Sequence, residues 1–149
     1  MSTEAQLRAA FAAEARSWIG TRYHPNGTLK GVGVNCAQFI FRAAKNAGAL
    51  PANAPEPRWY TAQLATNSKE ERLIAYIKSY GGVEIEESAV ETGDVVLYKS
   101  GQAHGHAAII LDWPEIIHVL PGIGCQLGAV NEGKLGKYSR KYFTLWKAS

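Results

Sequence analysis

Apolar residues fall at helical spacing in the first half of the chain and in short extended runs in the second. Over residues 3–18, Leu7, Phe11 and Trp18 share one face with small alanines between them, which predicts an amphipathic helix that Ser2 or Thr3 can cap. Residues 19–35, with four glycines and a proline, read as a long loop holding Tyr23 and His24. A second helix is predicted over 36–46, with Phe39, Ile40, Ala43, Ala44 and Ala47 at helical spacing and Gly48 as its C-terminal cap. Beyond the proline-rich connector LPANAPEPRWY (50–60), Ser68 with Glu71 makes a capping box for a third helix. Leu73, Ile74, Ile77 and Tyr80 form its buried stripe, and Gly81-Gly82 ends it.

After residue 82 the texture changes. VEIEE (83–87), DVVLYKS (94–100), HAAIILD (106–112), EIIHVL (115–120), CQLGAV (125–130) and YFTLWKA (142–148) are short runs rich in β-branched and aromatic residues, separated by Gly, Asp, Pro and Asn. Helices first and strands later is the order of an α+β domain, a mostly antiparallel sheet with helices packed against it.

A chain of 149 residues suits one domain, 1–149, with a core of its own. The net charge of +3 suits an acidic or polyanionic surface such as a cell wall and is too weak to argue nucleic-acid binding. Lys134, Lys137, Arg140, Lys141 and Lys147 form a late basic group that reads as a solvated face. Cys36 and Cys125 lack zinc-site spacing and are too few for a disulfide scaffold, so no metal and no cofactor is implied. No stretch approaches a membrane span. The opening residues begin with an acid and alternate charge with alanine, unlike a secretory signal, so the expectation is synthesis in the cytoplasm without a Sec leader.

The candidate chemistry centres on GVGVNCAQFIF (31–41), where a glycine-broken turn gives way to a helix. Cys36 at the first turn faces unpaired amides and the positive end of the dipole, which favour a thiolate if the sulfur is partly exposed. The bland alternative is a small buried residue. A base must come from His24, His104, His106 or His118. His106 opens an apolar strand, and His118 follows twelve residues on. If 106–111 and 115–120 pair as a hairpin across DWPE, the register decides whether both rings share a face. The alternatives are loop histidines in HGH and a core histidine in IIHVL.

WIGTRYHPNGTLKGVGVNCAQFI, TGDVVLYKSGQAHGHAAIILD and IIHVLPGIG together resemble the NlpC/P60 cysteine peptidases, and within them the phage tail-associated cell-wall-peptidase branch. The resemblance runs from about Trp18 to Trp146. It implies a papain-like fold with a central antiparallel sheet of about five to six strands and N-terminal helices packed on it. It makes Cys36 the nucleophile, His106 the base and His118 the residue that orients the imidazole. The Cys36 amide would hold the oxyanion, with the Tyr23 hydroxyl beside it unless Tyr23 is only a half-buried loop aromatic. Gly93-Asp94 would be a structural turn before the central strand, and the connection 49–92 an elaboration beside the cleft.

The sequence departs from the family pattern at the nucleophile. Asn35 stands where aspartate is usual, and Ala37 and Gln38 stand where Ser and Gly are common. The family aspartate is associated with gripping an amine of the peptide stem, so Asn35 keeps the shape and loses the charge. The implied function is a thiol hydrolase cutting an amide bond in peptidoglycan stem peptides next to D-glutamate or diaminopimelate. Its partners would be the peptidoglycan peptide and phage tail proteins, and its place a virion tail or another route to the wall. The same fold supports N-acetylmuramoyl-alanine amidases, injected amidase toxins and hydrolases of lipids or small amides. The non-enzymatic alternative is a tail or wall-binding module with a vestigial site.

Overall fold

Thr3 caps helix α1 (Glu4–Arg16) reciprocally: its hydroxyl accepts from the Gln6 amide at 3.1 Å, and the Gln6 side chain accepts from the Thr3 amide at 2.8 Å. The computed structural model describes residues 2–58, 60 and 62–146, apart from the side chains of 62–64. Helix α2 (Cys36–Asn46) has the predicted bounds, and Gly48 just beyond it takes the left-handed conformation at φ +76°. A short helix α3 (Ala62–Asn67) precedes α4 (Arg72–Ser79), whose Leu73, Ile74 and Ile77 are buried as the stripe required. The expected capping box at its start does not form. Ser68 accepts instead from the Glu70 amide, and Glu71, at the cap position, makes no side-chain bond to the helix.

Strands β1 (Thr28–Leu29) and β2 (Gly33–Val34) fold the glycine-rich loop into a small hairpin. The six later runs become β3 (Val83–Ile85), β4 (Val95–Lys99), β5 (His104–Ile110), β6 (Glu115–Leu120), β7 (Gly124–Ala129) and β8 (Arg140–Thr144). They form one antiparallel sheet in the order β3-β8-β4-β5-β6-β7. Val95, Leu97, Ala107, Ile109, Ile117 and Phe143 point to the face that packs on α1 and α2. Val96, Tyr98, Ala108, Ile110, Ile116 and Tyr142 point to the other face, where Val130 and Leu135 cover them. Burial on both sides is why VVLY and HAAIIL lack polar alternation.

A buried ion pair fastens α1 to this sheet. Arg8 Nη1 lies 2.8 Å from Asp94 Oδ1, and Asp94 is fully buried. The same guanidinium donates to the Thr92 carbonyl and the Thr144 hydroxyl, while Asp94 Oδ2 accepts from the Glu91 amide. Gly93 turns at φ +91° with Arg8 so close that a Cβ would sit 3.2 Å from its Cα, so the Gly93-Asp94 turn is structural, as expected.

The late basic group is not uniformly solvated. Arg140 donates to the Val130 and Leu135 carbonyls and lies over the Tyr98 ring, and Lys141 pairs with Glu84 at 3.7 Å. Lys134 and Lys137 are exposed, and Lys147 lies outside the described residues.

Candidate active site

Asn35 caps α2: its Oδ1 accepts from the Gln38 amide at 2.8 Å, which puts Cys36 at the first helical position. The sulfur reaches across to β5. The thiol donates to the Gly105 carbonyl at 3.6 Å and also lies against the Ala107 amide, so it meets the main chain on both sides of His106. It fits there because the β5–β6 pairing ends at Ala108↔His118, which leaves the first residues of β5 without β6 alongside. The Gly105 carbonyl also accepts from the Tyr60 hydroxyl at 2.9 Å.

A bulge aims the histidines. Tyr98 pairs with His106 but Lys99 with His104, so Gly105 is an extra residue in β5. His104 and His106, two apart in sequence, therefore project to opposite faces of the sheet. His104 turns to α4, where Glu71 accepts from its amide at 2.7 Å and meets its ring Nδ1 at 2.8 Å. His106 turns to the face it shares with His118, whose Nδ1 lies 3.0 Å from His106 Nε2. The β5–β6 register thus brings together the two histidines expected to meet, as diagonal neighbours. His24, the remaining histidine, is exposed on the loop, its ring accepting from the Asn26 amide.

Electrostatics at the sulfur differ from the expectation of a partly exposed thiolate. Cys36 is only 6% exposed, and burial pushes its thiol up to about 11. The amides of Ala107, Ala37 and Cys36 pull the other way without overcoming it. Burial also lowers both histidines, and at His106 the neighbouring His118 ring further disfavours a charge. Burial thus favours the protonated thiol at Cys36 and uncharged rings at His106 and His118. Burial raises the phenols of half-buried Tyr23 and buried Tyr60, and both stand near enough to Cys36 that a thiolate would raise them further. Cys125 lies in β7, buried and pushed up to about 12, as an apolar core residue. No cluster of three or more metal-ligating side chains, and no helix long and apolar enough to cross a membrane, occurs among the described residues.

A family model described as NlpC/P60 family matches residues 20–144, a span that includes α2, the bulge and both histidine strands. The chain belongs to the NlpC/P60 family. Among curated proteins, Murein DD-endopeptidase MepS/Murein LD-carboxypeptidase of Escherichia coli K12 is 24% identical over 115 residues, covering 77% of this chain and 50% of that protein. The chain thus spans about half the length of the curated relatives it matches. Among solved structures, the NlpC/P60 domain of the peptidoglycan hydrolase SagA has a TM-score of 0.62 at 22% identity, with 90% of this chain and 96% of that one covered. The peptidoglycan hydrolase RipB of Mycobacterium tuberculosis has a TM-score of 0.66 at 14% identity, with 97% and 67% covered. At these identities the two structures speak for the NlpC/P60 fold, which the six-stranded sheet and its helices share.

Within that fold, the Asn35 departure has a local cause. Besides capping α2, its buried side chain donates from Nδ2 to the Pro25 carbonyl at 2.7 Å and towards the Tyr60 carbonyl at 3.4 Å. An aspartate could keep the cap but could not donate, and would set a buried charge against two carbonyl oxygens. Asn35→Asp is therefore expected to destabilise the protein by about 1–3 kcal/mol, read from urea unfolding. A variant as stable as wild type would mean that the donated bonds do not explain why asparagine stands here.

Tyr60 and the Glu71–His104 clamp escaped the sequence reading. Both lie on the 49–92 connection, and their partners on β5 are 45 and 33 residues away, beyond the reach of any local pattern.

Proposed function

We propose that this NlpC/P60 chain is a thiol hydrolase that cuts amide bonds in peptidoglycan stem peptides, near D-glutamate or diaminopimelate. One observation carries the reading: a helix-start cysteine has its sulfur against the main chain on both sides of a histidine whose ring is held by a second histidine. In this reading Cys36 is the nucleophile, His106 the base and His118 its orienter. Support for the substrate comes from the family and from the murein and peptidoglycan activities named for its relatives.

The chemistry begins from neutral partners. Since Nε2 of His106 is engaged with His118, Nδ1 is the nitrogen left to take a proton. As Cys36 Sγ bonds to the amide carbon, its proton passes to His106. The amides at the start of α2, with Tyr23 beside them, hold the oxyanion. Collapse breaks the C–N bond, and the amine leaves with the proton from His106. Water then gives a proton to His106 and attacks the thioester, and Cys36 departs as the thiol.

The proposed setting is a phage or prophage tail, with tail proteins as partners and local wall digestion as the task. That placement is supported by the likeness of the three motif stretches to the tail-associated branch. The single unit 1–149 acts as the catalytic domain.

Digestion of purified sacculi tests the roles. His106→Ala is expected to abolish turnover, a loss of at least roughly 100-fold, while His118→Ala and His118→Asn retain a measurable fraction. Equal activity in all three variants would mean that the two histidines do not work as base and orienter. Mass spectrometry of the released muropeptides identifies the bond, and cleavage within the glycan strand would sink the amide assignment.

A further inference from the structure

The tautomers of the histidine pair follow from one requirement, given the catalytic reading above. For Nδ1 of His106 to accept a proton, its Nε2 must carry hydrogen and donate to Nδ1 of His118. Nδ1 of His118 is then the acceptor, and the hydrogen of that ring sits on Nε2. This Nε2 is buried without a hydrogen-bond partner, on a side chain only 2% exposed. An unpaired buried N–H is costly and leaves the ring free to exchange tautomers, which would spoil the base.

An acid stands across from it, beside the cross-strand neighbour Gln126. A Cβ placed on Gly128 would lie 3.0 Å from His118 Nε2 and 3.0 Å from Glu132 Oε2, so the two atoms face each other across the space that a glycine leaves open. Glu132 is exposed and reaches the Ala129 amide only at 3.4 Å, so rotating its side chain towards the ring sacrifices little. His106, His118, Glu132, Lys134 and Tyr138 all line one cavity of about 580 Å³. Glu132 is the acid in that lining, and its charge favours a proton on His118.

We propose that Glu132 is a positioning residue for the histidine pair: its carboxylate accepts the Nε2 hydrogen of His118 past Gly128 and so fixes the tautomer that frees His106 Nδ1 for Cys36. No bond to substrate is involved. The carboxylate acts through two rings, as the third member of a catalytic triad acts through one.

Nitrogen-15 NMR of the histidine rings and the pH profile of wall hydrolysis test this in the Glu132→Ala and Glu132→Gln proteins. Wild type should show His118 as the Nε2–H tautomer. Glu132→Ala should show a mixture and lose about tenfold in kcat with KM unchanged, a modest share of what positioned proton transfer contributes. Its acid limb should move to lower pH, because an imidazolium without the nearby carboxylate forms less readily. Glu132→Gln, which can still accept, should keep the tautomer and most of the rate but share the shifted limb. An unchanged tautomer with an unmoved limb in Glu132→Ala overturns the proposal, as does an activity loss that only follows a lower Tm. The ring spectra need no substrate. A wild type inert on sacculi whose tautomer still responds to Glu132 would sink the hydrolase reading and leave the positioning role standing.

Discussion

Under the proposed mechanism, sacculi treated with the Cys36→Ala protein stay intact, with hydrolysis at least roughly a thousandfold below wild type, because the variant lacks the sulfur that forms the thioester. The variant should still fold. Cys36 contributes a small buried group and one long bond to a carbonyl, so unfolding shifts by only about 1 kcal/mol and circular dichroism is unchanged. Alkylation of the wild type adds a second arm. A thiol pushed up to about 11 is almost wholly protonated at pH 7, so the rate with iodoacetamide climbs about tenfold per pH unit from about 7 to 10. A resting thiolate–imidazolium pair would instead give a rate already flat near neutrality. Clearing that survives Cys36→Ala removes the mechanism, and a flat alkylation profile removes the neutral resting state.

The largest loss of stability is expected from Asp94→Ala. The guanidinium of Arg8, with 8% of its side-chain surface exposed, would keep the Thr92 carbonyl and the Thr144 hydroxyl but lose its only buried counter-charge among the described residues. Glu4 and Glu91 remain within reach, yet they are 44% and 55% exposed and screened by water. Breaking a buried pair from one side costs about 3–5 kcal/mol, a fall in Tm of at least about 6 °C for a chain of this size. Replacing Arg8 and Asp94 together by apolar residues should cost less than Asp94→Ala alone. If Asp94→Ala melts within a degree or two of wild type, the pair does not fasten α1 to the sheet.

What can be read in advance divides by the range of the interaction that decides it. Helix α2 and strand β6 have their predicted bounds because capping, periodicity and β-branching act over a few residues. The α4 cap departs from its local pattern because the Glu71 carboxylate is taken by His104, 33 residues away. The β1–β2 hairpin is invisible to pattern reading because two-residue strands carry no periodicity. At the site, type and order single out Cys36, His106 and His118 as candidates and only the family resemblance gives them roles, while the buried state of the sulfur is not legible at all. That state comes from the gap beside β5 and from Tyr60, neither written locally. Asn35 reads in the sequence as a lost charge, whereas in the fold its amide holds two loop carbonyls.

The extra residue at Gly105 also settles a matter of redundancy. HGH places two imidazoles two positions apart, as though a mutated base had a spare beside it. The bulge puts that second ring through to the opposite side of the sheet, where it is tethered to Glu71. In the proposed mechanism, a protein that loses His106 has no understudy in His104, however near the two stand in the sequence.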